Sequence, residues 1–306
     1  MSASADSRPR VGVLGVGALG GAIAERLSQQ GYDVSANDLS AAAVAALAEH
    51  GVRAAATPRE LSAASDVVIV LLPDTPEILA CLDGPDGLEA GLRGGSIVVI
   101  ASTVAPETPP QLAERLAARG VAVVDAPVSG GPVVARRGEL TIMVGAEEAV
   151  YAAVEPVLSA YGNPVRVGPI GHGEIAKLVN NLMGSVIVLG IAEGLALAAK
   201  AGADLDKVRE AIDGGSGASW ILSDWMPRTV LAGSVEAHFA VRNMVKDTRL
   251  IAAYAQRLGV PLQAGALAGE TFTEVRDSGH GDDDFSVLVA LRAAAAGAPL
   301  RAIELS

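Results

Sequence analysis

Cys81 is the only cysteine in this 306-residue chain, which excludes an internal disulfide and a cysteine-built metal cluster. It is expected as a small, buried hydrophobe. Aromatic residues make up only 3% of the sequence, so the core must be built from Ala, Val, Leu and Ile. Positive charge is also scarce: 23 Lys and Arg stand against 35 Asp and Glu, a formal net charge of −12. That balance argues against a nucleic-acid partner and requires an anionic ligand to find a local cationic pocket. Lysine is the rarest cation, confined to Lys177, Lys200, Lys207 and Lys246. The histidines at 50, 172, 238 and 280 show no metal-ligand spacing, so no metal site is expected. The first ten residues lack the apolar core of a signal peptide, and a cytoplasmic globular protein is expected. Leu182–Ala199 is apolar enough to be tested as a membrane span. Glu193 interrupts it and Gly184, Gly190 and Gly194 recur along it, so it is read as a buried helix, with no membrane partner.

What is present is a globular composition, 50% hydrophobic and 19% charged. From Arg10 to about Val167 short β-branched runs alternate with alanine-rich helical stretches. The runs are Val11–Leu14, Asp33–Asn37, Val67–Leu71, Ser96–Ile100, Val121–Asp125, Leu140–Val144 and Pro164–Val167. Such alternation predicts an α/β fold, a doubly wound, mostly parallel sheet of the Rossmann type with helices on both faces. Val67–Leu71 has no polar alternation, as expected when both faces are covered. After Gly168 the strand signal stops and five helical stretches follow, the first at Glu174–Ala201. The expected organisation is a disordered tail at 1–9, a dinucleotide-binding domain at 10–168, and an all-α domain at 169–306 opened by a long helix. A helix so long and apolar suggests burial between domains and between subunits, hence a homodimer or homotetramer.

Gly15-Val16-Gly17-Ala18-Leu19-Gly20 is a glycine fingerprint with a strand before it and a helix after it. Gly15 permits the tight turn, Gly17 lets backbone amides approach a pyrophosphate, and Gly20 lets helix pack on strand. Asp38 ends the next strand, where a carboxylate accepts hydrogen bonds from a ribose and repels a 2′-phosphate. No arginine follows it, so NAD is expected and NADP disfavoured; a turn-forming or helix-capping role for Asp38 is the plainer alternative. Leu72, Pro73, Ser102 and Thr103 end later strands at the same edge, and backbone contacts with the cofactor are expected there.

Lys177 and Asn181 stand four residues apart at the start of the long apolar helix, one turn apart on one face. A partly buried lysine can give up a proton, which arginine cannot, so Lys177 is the candidate acid/base. Ser129, Gly130 and Gly131 follow Asp125-Ala-Pro127-Val and can offer a hydroxyl and backbone amides to a carboxylate.

Taken together, the Gly15–Gly20 loop, Asp125–Gly131, Gly138-Glu-Leu-Thr, Gly171–Asn181, Lys246-Asp247 and Asp284-Phe-Ser286 resemble the β-hydroxyacid dehydrogenase family, in its order and over nearly the whole chain. The resemblance implies that Ser129, Gly130 and Gly131 bind a substrate carboxylate and that Lys177 is the catalytic acid/base. It also implies that Asn181 orients the substrate and that Lys246 lies near substrate and cofactor. Gly184 stands where 6-phosphogluconate dehydrogenases carry a catalytic Glu, which argues against that decarboxylating branch. Ala101 stands where many members carry Asp, and several loops look most like the L-threonate branch. The expected activity is NAD-dependent oxidation of a small β-hydroxy acid of the 3-hydroxyisobutyrate or L-threonate type. An NADPH-dependent reductase of a small semialdehyde acid and a non-catalytic dinucleotide-binding scaffold are the alternatives. Arg136, Arg137, Trp220, Phe239 and Asp284 are left without an assigned role.

Overall fold

The computed structural model describes residues 8–298 and residue 300. Most of the expected 1–9 tail lies outside the described residues; Arg8, inside them, donates to the Gln30 carbonyl. Residues divide into two compact units, one ending at Lys177 and the next beginning at Leu178. The division therefore falls inside the long helix, beyond the expected boundary at 168, because the first turn and a half of that helix packs with the sheet.

Nine strands build the first unit: β1 (Val11–Leu14), β2 (Val34–Asn37), β3 (Arg53–Ala54), β4 (Val67–Val70), β5 (Ile97–Ile100), β6 (Ala122–Asp125), β7 (Val128–Ser129), β8 (Leu140–Gly145) and β9 (Gly162–Gly168). Their order is β3-β2-β1-β4-β5-β6-β8-β7, with β9 beside β8. Pairing is parallel except where β8 meets β6 and β7. Register aligns Leu14 with Asn37 and Val70, Val70 with Ile100, and Ile100 with Asp125. Five parallel strands thus finish level, and the segments after them open at one carboxyl edge, where ligands bind in such sheets.

Alternate strand residues feed two cores, following the two-residue side-chain period. Val13, Ile69, Val99 and Val124 join one cluster; Leu14, Val68, Val70, Val98 and Ile100 join the other. Helices α1 (Ala18–Gln29), α2 (Ala41–Ala46), α3 (Pro58–Ala64), α4 (Thr75–Leu82), α5 (Leu88–Gly91), α6 (Thr108–Ala117), α7 (Gly131–Arg137) and α8 (Glu148–Leu158) cover the sheet. Leu27 of α1 and Val157 of α8 seal the first cluster; Leu61 of α3 and Leu112 of α6 seal the second. Both faces being covered explains the lack of polar alternation in β4. The chain's single cysteine lies on α4 only partly buried, with burial and then nearby Glu77 pushing its thiol up.

The long helix α9 (His172–Lys200) leads into the second unit. There α10 (Leu205–Asp213), the short turn α11 (Met226–Arg228), α12 (Val241–Leu258), α13 (Gln263–Val275) and α14 (Val287–Ala295) follow, with no named strand among the described residues. Val188, Ala192, Leu222, Trp225, Met244, Phe272 and Leu288 form its core. The most apolar window of α9 is 33% buried within the chain. By length and composition this one helix could cross a membrane. Val179, Met183 and Leu197 face outward.

Candidate active site

In the first unit the glycine loop sits between the ends of β1 and β4. Gly15, at φ +88°, leaves no room for a side chain: a Cβ there would lie 2.3 Å from the Leu71 carbonyl oxygen. A Cβ on Gly20 would lie 2.0 Å from the Gly15 oxygen, so loop and helix touch backbone to backbone. Gly17 is the opposite case, exposed and with nothing within 4 Å of a Cβ. No side chain caps α1 at Gly17, so its first N–H groups meet open space. Ala18 is exposed, Leu19 partly buried and Val16 buried. These residues fit a pyrophosphate, which would take the N–H groups of an uncapped helix start.

Asp38 is half-buried, and its carboxylate accepts from the Val16 amide at 2.7 Å and the Ser40 amide at 2.8 Å. The turn-forming role is therefore present, and it ties the end of β2 to the glycine loop. Ser102 is buried, and its hydroxyl accepts from the Leu72 amide at 2.8 Å, linking the ends of β4 and β5. Leu72 and Thr103 are partly buried and Pro73 is exposed beside them.

Ser129 ends β7 opposite Thr141, and Gly130 caps α7, whose first residue is Gly131. The segment is a strand-to-helix turn. Ser129, Gly130 and Gly131 are all partly exposed. Arg136, further along α7, pairs instead with Glu25 at 3.0 Å, and Arg137 is exposed.

Upstream, Asp125 is fully buried at the end of β6. Its Oδ1 accepts from the Gly171 amide at 2.7 Å and its Oδ2 from the Glu174 amide at 2.9 Å. Burial pushes its carboxyl up, opposed by backbone N–H groups of Gly171, Glu174, Asp125 itself and Gly173. Glu174, also fully buried, accepts from the Val104 amide at 3.2 Å. Lys177 follows on α9 and is only 6% exposed. Neither Asp125 nor Glu174 was singled out from sequence, because their partners lie 49 and 70 residues away.

The second unit holds Asn181 and Lys246. Asn181 is 7% exposed, one turn beyond Lys177 on α9. Its amide donates to Asp247 Oδ2 at 2.5 Å, while Lys246 Nζ lies 3.1 Å from Asp247 Oδ1. Asp247 is thus the residue that sequence reading quoted but did not assign: one buried carboxylate orients both polar partners. Such a bond to a charged group contributes about 1.5–3 kcal/mol. Asp284 is fully buried and accepts from Trp225 Nε1, Ser286 N, His238 N and Phe239 N. It fixes the segment carrying Phe239, whose ring meets Phe285 edge-on, whereas Trp220 is half exposed. Among the described residues no cluster of His, Cys, Asp and Glu could hold a metal ion.

The family models also divide the chain in two, meeting at residue 171. The profile for the NAD binding domain of 6-phosphogluconate dehydrogenase matches residues 10–171. That for the NAD-binding domain of NADP-dependent 3-hydroxyisobutyrate dehydrogenase matches residues 171–292. The chain belongs to the β-hydroxyacid dehydrogenase family. It is 36% identical to the 3-hydroxyisobutyrate dehydrogenase of Pseudomonas aeruginosa, over 90% of this chain and 96% of the other. It is 35% identical to the 2-(hydroxymethyl)glutarate dehydrogenase of Eubacterium barkeri, over 92% of this chain and 93% of that one. The crystal structure of 3-hydroxyisobutyrate dehydrogenase from Salmonella typhimurium matches with a TM-score of 0.83 at 32% identity, covering 92% of this chain and 99% of that one. The protein is accordingly an NAD(P)-dependent hydroxyacid dehydrogenase. Being an enzyme, it is not the non-catalytic scaffold weighed from sequence.

Proposed function

We propose that this dehydrogenase oxidises a small β-hydroxy acid of the 3-hydroxyisobutyrate or L-threonate type, with NAD as cofactor and Lys177 as general acid/base. The observation that carries the reading is a nearly buried lysine one helical turn before an asparagine whose amide is already held by a buried aspartate. Ser129 and the backbone amides of Gly130 and Gly131 receive the substrate carboxylate, drawn by N–H donors at the start of α7. Asn181 orients the substrate, its side chain held at both ends by donating to Asp247 and accepting from Asn180 Nδ2 at 2.9 Å. Lys177 accepts the hydroxyl proton as the carbon is oxidised, and returns it in the reverse direction. General base help of this kind is worth about 10²–10⁴ in rate. Bound NAD supplies the hydride acceptor.

Asp38 supports NAD over NADP, since a 2′-phosphate beside its carboxylate would face a like charge. The 171–292 match to a domain named for an NADP-dependent enzyme favours the second reading, an NADPH-dependent reductase of a semialdehyde acid. We also propose a homodimer or homotetramer assembled through the outward apolar face of α9, where Met183 is 59% and Leu197 73% exposed. Met183→Glu should lower the assembly state in analytical ultracentrifugation.

The test is an NAD-reduction screen against 3-hydroxyisobutyrate, serine, glycerate and threonate, repeated with NADP and with Lys177→Ala. Turnover of one acid with NAD, reduced by about 10²–10⁴ in the variant while NAD still binds, is the expected result. A variant with wild-type turnover would sink the assignment of Lys177.

A further inference from the structure

We propose that Asp125 is a positioning residue that sets the register of Lys177 by capping α9 from the end of β6. The proposal rests on Lys177 being the acid/base, as argued above. A helix start leaves its first N–H groups without partners, and the residue before the helix ordinarily supplies an oxygen to them. Gly171 stands in that place, at φ +90°, and has no side chain to offer. The oxygens come from Asp125, 46 residues upstream, which receives the Gly171 and Glu174 amides. Two glycines keep the space open. A Cβ on Gly145 would lie 2.4 Å from Asp125 Oδ1, and a Cβ on Gly173 would lie 2.8 Å from Oδ2.

Lys177 stands three residues past Glu174 and four past Gly173, so it rises directly above the turn that Asp125 holds. A helical turn moves as a body, and a shift of its capped end carries the amine with it. Asp125 is also four residues before Ser129 on the same chain segment. One carboxylate therefore joins the strand feeding the proposed carboxylate-binding turn to the helix carrying the proposed acid/base. Glu174 adds a second tie, to Val104 just beyond Ser102-Thr103.

Asp125→Asn keeps the size but replaces one acceptor oxygen with a donor aimed at an N–H group. With 3-hydroxyisobutyrate, or the acid turned over fastest in the screen, kcat should fall about 10–10²-fold, the range for a misplaced reacting group. KM and the NAD dissociation constant should stay near wild type, since neither reports the amine. The decisive measurement adds Asp125→Asn to Lys177→Ala and reads residual turnover, or turnover restored by added ethylamine. With no tethered amine left to misplace, the second substitution should cost almost nothing. An equal loss in both backgrounds, or no loss in either, overturns the proposal. Lys177→Ala with undiminished turnover would instead break the functional reading, a separate outcome. Amide hydrogen exchange supplies a readout without turnover: residues 172–177 should exchange faster in Asp125→Asn, and unchanged protection there overturns the cap. Should that variant fail to fold, Gly145→Ala displaces the carboxylate without removing it, and the same exchange and turnover outcomes apply.

Discussion

Helices α1 and α9 both start after glycines at the carboxyl edge of the sheet, and they treat the same physics in opposite ways. At α1 no side chain caps Gly17, a Cβ there would touch nothing, and the leading N–H groups stay available. At α9 a buried carboxylate takes the Gly171 and Glu174 amides, and the glycines nearby are crowded against it. Free helix-start donors attract an anion from outside; satisfied ones hold a helix in place. On the function proposed above, one end would receive a cofactor phosphate and the other would fix the lysine. The difference lies in how far the acid from another strand reaches: Asp125 takes an amide of the first turn of α9, whereas Asp38 stops at Val16, before α1 begins.

The largest effect should come from making α1 resemble α9. Gly17→Asp places an acid at an extended backbone position with open space around it. Like charges about 4 Å apart at a protein surface repel by about 4 kcal/mol; salt screening cuts this to about 2.7 kcal/mol, so NAD affinity in a fluorescence titration should fall on the order of a hundredfold. Thermal stability should rise by a few tenths of a kcal/mol from the new cap. Next comes crowding the α9 cap. Gly173→Ala would press a Cβ to 2.3 Å from the Met143 oxygen and into Asp125, costing about 1–3 kcal/mol in a denaturant titration. A smaller change follows from Asp38→Ala, which removes the acceptor for the Val16 and Ser40 amides. It should lower the kinetic preference for NAD over NADP by about tenfold, equivalent to about 1.4 kcal/mol.

The smallest concerns Asp66, remote from both helix starts. Its hydrogen bond with Arg10 holds its carboxyl below the usual range, against a weaker opposing effect of burial. A depressed carboxyl stabilises the fold above its unfolded pKa, and that contribution is lost as pH falls through the folded value. The pair is solvent-exposed, so Asp66→Asn should remove less than about 1 kcal/mol at neutral pH and progressively less as the pH falls below the ordinary carboxylate range. Thermal midpoints of the two proteins across that range check it.

Several parts of this arrangement were legible because their signals are local. The β-branched runs, the glycine fingerprint and the four-residue spacing of Lys177 and Asn181 each depend on neighbours within a turn or a strand. Strands β3 and β7, only two residues each, carry too few side chains to show a period. Helix α7 is masked by the composition of Gly130-Gly-Pro132, although Pro132 sits in the first helical turn, where proline is tolerated. Asp247 was visible beside Lys246, but its bond to Asn181 spans 66 residues and leaves no spacing to read. How apolar α9 is was legible from composition, which does not record what covers each of its faces.

The order of strands and helices, the glycine loop and the candidate amine were written into the chain itself, since residue type and short-range spacing dictate them. Only folding decided that Asp125 would cap α9, that Asp247 would hold Asn181 and Lys246 together, and that the donors of α1 would stay open. Those outcomes depend on hydrogen bonds between groups far apart in sequence, whose partners exist only once the chain has brought them within about 3 Å.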